Sequence, residues 1–211
     1  MDKFVINIGR QIGSGGKIIG EIIARRLGIR LYDKELINLA ARESGLCPEC
    51  FEKADEREAK GMFATLIGYF RAPFTGYEGG NTNNILANES LFRIQSDVIR
   101  QIAARESAIF VGRCADYILR DHPRCVNVFI TADEADRIDR LCKRDNCTPD
   151  EARAMMERID AQRASFYNYY SLRTWGQAAT YHLCVNSSKL GEEQTADFIL
   201  DFAGRKLHEK F

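Results

Sequence analysis

Phe4-Val5-Ile6-Asn7-Ile8 runs straight into Gly9-Arg10-Gln11-Ile12-Gly13-Ser14-Gly15-Gly16-Lys17. This is an apolar run, a glycine-rich turn and a lysine, and a helical pattern follows. Closely spaced glycines let successive backbone N–H groups curl around an anion, and a helix that starts there aims its unsatisfied N-terminal donors at the same spot. The pattern predicts a phosphate site. A strict phosphate-loop motif would carry glycine in place of Gln11 and Ser or Thr in place of Ile18. The alternative is a tight glycine turn beside a solvated lysine.

Beyond the lysine, Ile19, Ile22, Ile23 and Leu27 recur at helical spacing, and Gly28 is placed to end that helix in the left-handed conformation. A short strand is expected over Ile29 to Tyr32, then a helix over Lys34 to Ser44 and a charged, helix-prone segment from Cys47 to Lys60. From Phe63 to Asn88 periodicity fails, and the turn formers of Gly76 to Asn84 predict a loop. Leu91, Ile94, Val98, Ile99 and Ile102 mark a long amphipathic helix feeding the apolar run Ala108 to Val111, which ends in Gly112-Arg113. Val126 to Ile130 is the next apolar run. It leads into a helix that carries Arg137, Arg140 and Arg144 along one face. Thr148-Pro149-Asp150-Glu151 opens a further helix to about Arg163, ahead of the aromatic block Phe166 to Tyr170 and Trp175. A last strand, His182 to Val185, and a helix from about Glu192 to Arg205 close the pattern. Alternating strands and helices predict an α/β fold, a mostly parallel sheet with helices on both faces.

The chain of 211 residues, 45% hydrophobic, is long enough for a sizeable core and reads as a single domain over residues 1–211. Thirty basic residues balance thirty acidic ones, so no global field draws nucleic acid or an anionic membrane, and an anion site has to be a local cluster. No apolar stretch approaches the length of a membrane span, and Asn7 and the glycines interrupt the N-terminal apolar run, so a cytoplasmic protein is expected. Seven cysteines at irregular spacing argue for reduced thiols. Cys47, Cys50, Cys142 and Cys147 could form a four-thiolate zinc site, or be ordinary thiols.

The loop, Tyr32-Asp33-Lys34-Glu35-Leu36-Ile37, Val111-Gly112-Arg113-Cys114, Val128-Phe129-Ile130-Thr131-Ala132, Asp160-Ala161-Gln162-Arg163 and Leu183-Cys184-Val185-Asn186-Ser187 occur in this order. With these motifs the chain resembles the cytidylate-kinase-like family of P-loop kinases, over nearly its whole length. The resemblance implies a P-loop kinase fold with an acceptor-binding insertion at about residues 34–88 and a lid at about 144–170. It also implies transfer of a phosphoryl group from ATP, with Mg2+, to a nucleoside monophosphate, nominally CMP. In cytidylate kinases a small residue and then a threonine that helps hold Mg2+ follow the loop lysine, where this chain has Ile18 and Ile19. An acidic residue follows their Gly-Arg, where this chain has Cys114. Two other readings stay open: a P-loop kinase for another small acceptor, and a nucleotide-binding module without turnover.

Under the resemblance, Gly13, Ser14, Gly15 and Gly16 supply backbone donors to ATP, and Lys17 bridges its β- and γ-phosphates. Arg144 and Arg163 are the catalytic cations, while Asp33, Arg113, Asp116, Asp160 and Arg163 face the acceptor. Mg2+ falls to Ser14, Asp33 or Asp116, mainly through water. Each residue also has a plainer reading: a helix N-cap for Asp33, a strand-end surface arginine for Arg113, an intrahelical ion pair for Asp160 and Arg163. Arg137, Arg140 and Arg144 can equally form a solvated face. Tyr167, Tyr170 and Trp175 are either lid core or a stacking platform for a base.

Overall fold

The structure is a computed structural model and describes residues 2–34, 36–38 and 82–211, with backbone alone for 82–88. Most of the expected insertion, with Cys47 and Cys50, lies outside the described residues.

Five strands, β1 (Val5–Arg10), β2 (Arg30–Tyr32), β3 (Ala108–Val111), β4 (Cys125–Thr131) and β5 (Leu183–Asn186), form one sheet in the order β2-β3-β1-β4-β5. Every pairing is parallel. The central strand β1 is covered on both faces, which is why it reads as a continuous apolar run. Its Ile6 and Ile8 pack with Ile19 and Ile23 of α1 (Gly16–Leu27) and with Ile199 of α6 (Ser187–Leu207). Val5 points the other way, into a core shared with Val98, Ile99 and Ile102 of α2 (Thr82–Arg105), Ile118 of α3 (Ala115–Ile118) and Tyr167 of α5 (Pro149–Ser171). Asn7 shares that second face. Its amide donates to Asn127 Oδ1 (2.9 Å) and to Cys125 Sγ (3.1 Å), so a polar cluster lies under the sheet centre.

A third, smaller core joins Ile12 of the glycine loop to Leu141 of α4 (Glu134–Asp145) and to Ala152 and Met156 of α5. The loop is thus packed against α4 and α5 by an apolar anchor of its own. Thr148 caps α5 with a reciprocal capping box to Glu151, and Pro149 occupies its first turn. Gly20 lets α1 approach the sheet closely, because a Cβ there would lie 2.9 Å from Leu31 Cδ1.

Several boundaries differ from expectation. Helix α5 runs through the aromatic block to Ser171 instead of stopping near Arg163, because Tyr167 lies on its buried stripe and pulls the last two turns onto the sheet. Helix α2 begins at Thr82, within the stretch expected to be a loop. Helix α6 starts directly at Ser187, capped by Asn186, and breaks at Gly191 (φ 73°, ψ 177°) before its main segment. Residue 34 and residues 36–38 are helical, as far as the expected helix after Asp33 is described. Among the described residues, no helix is long and apolar enough to cross a membrane.

Ile18 and Ile19 flank the lysine yet sit in opposite environments: Ile18 is 48% exposed and Ile19 is fully buried. Ile19→Ala is expected to cost about 2–5 kcal/mol in urea unfolding, and Ile18→Ala to stay within about 0.5 kcal/mol. Equal losses for the two variants would contradict the packing of α1.

Candidate active site

The glycine loop follows β1 and turns through Gly13 (φ 73°) and Gly15 (φ 72°), conformations in which an L side chain is strained. What fixes its shape is the fate of its carbonyls. Arg10 O accepts from Arg163 Nη1 (3.0 Å) and Gln11 O from Ser14 Oγ (2.9 Å). Ile12 O accepts from Arg137 Nε (2.7 Å), Gly13 O from Arg140 Nη1 (3.1 Å) and Ser14 O from Ser187 Oγ (2.8 Å). Five consecutive carbonyls are held by side chains, three of them arginines reaching in from α4 and α5. Of the amides on these peptide planes, Gln11 N donates to Ile130 O (3.1 Å), Ile12 N to Asp160 Oδ1 (2.8 Å) and Ser14 N to Gln11 O (3.4 Å), which among the described residues leaves the N–H groups of Gly13 and Gly15 for an anion. The first N–H groups of α1 join them, since the first intrahelical bond runs from Ile19 N to Gly15 O (2.9 Å).

Asp160 locks this frame. One carboxylate oxygen accepts from Ile12 N (2.8 Å), and the other is ion-paired with Arg137 Nη2. Arg137 and Asp160 therefore grip both polar groups of Ile12, and both side chains are largely buried. Arg163, on the same helical face, lies 3.9 Å from Asp160. Burial pulls the Arg163 guanidinium down to about 10; Asp160 opposes that, and Arg113, Arg137 and Arg144 add to it. It remains charged at neutral pH, within a crowd of cations that an anion would relieve.

At the end of β2, Lys17 Nζ lies 2.9 Å from Asp33 Oδ2. The carboxylate's other oxygen accepts from Leu36 N (3.2 Å), so Asp33 also caps the following helix. Gly112, Arg113 and Cys114 form a turn of three consecutive positive φ angles (78°, 57°, 56°) at the end of β3. The Arg113 guanidinium lies 4.5 Å over the Phe166 ring. These groups gather at the carboxyl ends of β1, β2 and β3, where open parallel sheets place their ligands.

Other expected residues are placed elsewhere. Arg144 forms a two-pronged ion pair with Asp145 (2.7 and 2.6 Å) at the end of α4. Asp116 is buried and accepts from the Tyr167 hydroxyl (2.6 Å), tying α3 to α5. Burial raises the Asp116 carboxyl above its usual range and pushes the Cys114 thiol up to about 12. Tyr167 is core; Tyr170 stacks on Phe92 (3.9 Å), and Trp175 meets Phe129 edge-on (5.2 Å). Cys142 and Cys147 sit together near the end of α4, where burial raises the Cys147 thiol. Arg137 and Arg140, expected as a solvated face, instead hold the loop; their spacing of three, matching that of Asp160 and Arg163 on the facing helix, was the available signal. Arg10 and Ser187 carried none.

The oxygen set for Mg2+ does not fit. Mg2+ needs near-octahedral oxygen ligation, but the Ser14 hydroxyl is fully buried and donates to Gln11 O. Asp33 is engaged by Lys17 and a helix N-terminus, Asp116 by Tyr167, and Ile18 and Ile19 offer no oxygen. Among the described residues, no three His, Cys, Asp or Glu side chains group as metal ligands.

The model of the cytidylate kinase-like family matches residues 5–189. The chain belongs to that family. No curated protein matches it. Among solved structures, it is similar to an uncharacterized protein from Eubacterium ventriosum, at 25% identity and a TM-score of 0.72, covering 95% of this chain and 98% of that one. It shares its fold with a gluconokinase from Sinorhizobium meliloti (13% identity, TM-score 0.54, 97% and 94% covered). The same holds for a shikimate kinase from Bacteroides thetaiotaomicron (13%, TM-score 0.50, 97% and 98% covered). The α/β architecture is that of P-loop kinases, and the family supports nucleotide-binding phosphotransfer.

Two outcomes test the frame. Asp160→Ala leaves Arg137 buried without its carboxylate and is expected to cost about 3–5 kcal/mol in urea unfolding, whereas Asp160→Asn, which keeps an acceptor for Ile12 N–H, costs less. The raised Asp116 carboxyl gives a pH signature. Its folded-state value lies above its unfolded one, so its contribution to stability is full below the ordinary value of 3.8 and is lost as pH rises through the folded value. Asp116→Asn is therefore expected to match or exceed the wild type at neutral pH and to lose ground to it as pH falls through the raised folded value, the difference levelling off below about 3.8. Parallel urea titrations across pH would refute this if the difference between the two proteins were flat.

Proposed function

We propose that this protein transfers the γ-phosphoryl group of ATP to a small acceptor, nominally a nucleoside monophosphate such as CMP. The observation that carries the reading is the loop whose five consecutive carbonyls are held by side chains, with the Gly13 and Gly15 amides and the α1 N-terminus left for an anion beside Lys17. Phosphoryl transfer asks mainly for positioned donors and cations, because charge spreads over the transferred oxygens as the bond to the leaving group loosens. The loop amides would hold the donor's phosphates. Lys17 would exchange Asp33 for the β- and γ-phosphate oxygens, and Arg113, at the end of β3, would meet the acceptor's phosphate. Arg163 is better suited to fixing the loop than to leaving it, given its bond to Arg10 O.

One observation favours a second acceptor class. Asp116 and Asp160, the carboxylates expected to recognise a nucleoside, are committed to Tyr167 and to the Ile12–Arg137 frame. Asp33 is then the carboxylate nearest Lys17 on the acceptor side, and a carboxylate there suits an acceptor whose attacking group is a hydroxyl that donates to it.

A coupled assay of ADP release over a panel of nucleoside monophosphates and phosphate-free polyols separates the two classes. Lys17→Ala is expected to weaken ATP binding by about 10- to 150-fold, the worth of a charge-assisted contact, in a chain that still folds. Unchanged ATP affinity would remove the donor-site assignment. ATP binding without turnover for any acceptor would favour a nucleotide-binding module.

A further inference from the structure

Arg10 ends β1 at the mouth of the loop, and the side chain's course is fixed by two glycines. A Cβ on Gly16 would lie 2.7 Å from Arg10 Cβ and 3.0 Å from its Cγ, and a Cβ on Gly112 would collide with Arg10 Nη1. The stem therefore crosses the first turn of α1, and the guanidinium lies against the turn that presents Arg113. The side chain thus runs from the helix N-terminus, which attracts phosphate, to the strand end where the acceptor side of the proposed reaction begins. Its own backbone is fixed by the Arg163 bond to its carbonyl. A planar guanidinium with forked donors matches phosphate oxygens better than any other side chain. This place matters because the loop offers Mg2+ no oxygen set, while the charge that spreads over the transferred phosphoryl group still needs a counter-charge.

We propose that Arg10 is a phosphate-binding residue of the donor site, supplying from the chain itself the positive charge that lets the loop hold ATP without a protein-ligated metal ion. The proposal rests on the donor-site reading above. It assigns a role to the two glycines as well: Gly16 and Gly112 are the clearance through which the arginine reaches the phosphates.

The test is isothermal titration of ATP into the full chain, once in excess EDTA and once in excess Mg2+, for wild type, Arg10→Ala, Arg10→Lys and Lys17→Ala. The melting temperature of each unliganded protein checks folding. Wild type is expected to bind ATP in EDTA within about threefold of its affinity in Mg2+, and Arg10→Ala to bind at least about tenfold more weakly in EDTA. Arg10→Lys keeps the stem past Gly16 but loses the fork, so it should fall between them; it decides the matter if Arg10→Ala is unfolded. Wild-type binding that appears only with Mg2+ overturns the proposal. So does unchanged affinity of the folded Arg10 variants in EDTA while Lys17→Ala loses ATP, a pattern that leaves the donor site standing. No ATP binding by wild type in either condition overturns both readings.

Discussion

The site depends on five consecutive loop carbonyls being held by side chains, four of them from outside the loop. A glycine-rich turn has many conformations available, and glycine loses more freedom on ordering than any other residue. Here the ordering is imposed by side chains that belong to other elements: Arg163 from α5, Arg137 and Arg140 from α4, Ser187 from the start of α6. Each takes one carbonyl and Ser14 Oγ takes the fifth, so the loop is held in one conformation with the Gly13 and Gly15 amides left for an anion. The loop is shaped for an anion before any anion arrives, which is the condition under which backbone donors act most strongly on developing charge.

That constraint couples layers that would otherwise be independent. Helix α5 is packed at its far end by Tyr167 in the core under β1 and β3, and near its start by Ala152 and Met156 against Ile12. Between these anchors it presents Asp160 and Arg163 to the loop. An anchored helix holds its polar groups in register, so the buried apolar contacts and the charged frame are parts of one device. The Asp116–Tyr167 bond serves the same end, because it fixes the turn after Gly112-Arg113 to the helix that fixes the loop.

Much of this was legible in the sequence, for identifiable reasons. Strand, glycine turn, lysine and helix are local signals, and parallel strands buried on both faces announce themselves as unbroken apolar runs. The end of α5 is not legible locally, because the aromatic block reads as a separate segment until Tyr167 is placed as a buried position of the same helix. Arg137 and Arg140 were misread because a surface stripe and a clamp have the same spacing; only the facing Asp160 and Arg163 decide between them, and that is a fact of tertiary structure. Arg10 left no local trace. Its meaning lies in the missing Cβ atoms of Gly16 and Gly112, one of them a hundred residues away in the chain.

Net charge is balanced across the chain, so the field at the site is a matter of which cations can change partners. Arg137 and Asp160 are both largely buried and hydrogen-bonded to Ile12, and separating them would strand a charge in a poorly solvated place. They are structural. Lys17 is more than half exposed, whereas its partner Asp33 is largely buried, so the lysine is the end of this pair that can move. In the proposed reaction Lys17 would go over to the donor's phosphates, and the buried Asp33 left behind would repel phosphate and call for a hydroxyl proton or a second cation in its place. The pair would then be a hinge of charge: the more completely Lys17 goes over to the nucleotide, the more the acceptor would have to bring a proton or positive charge to satisfy Asp33.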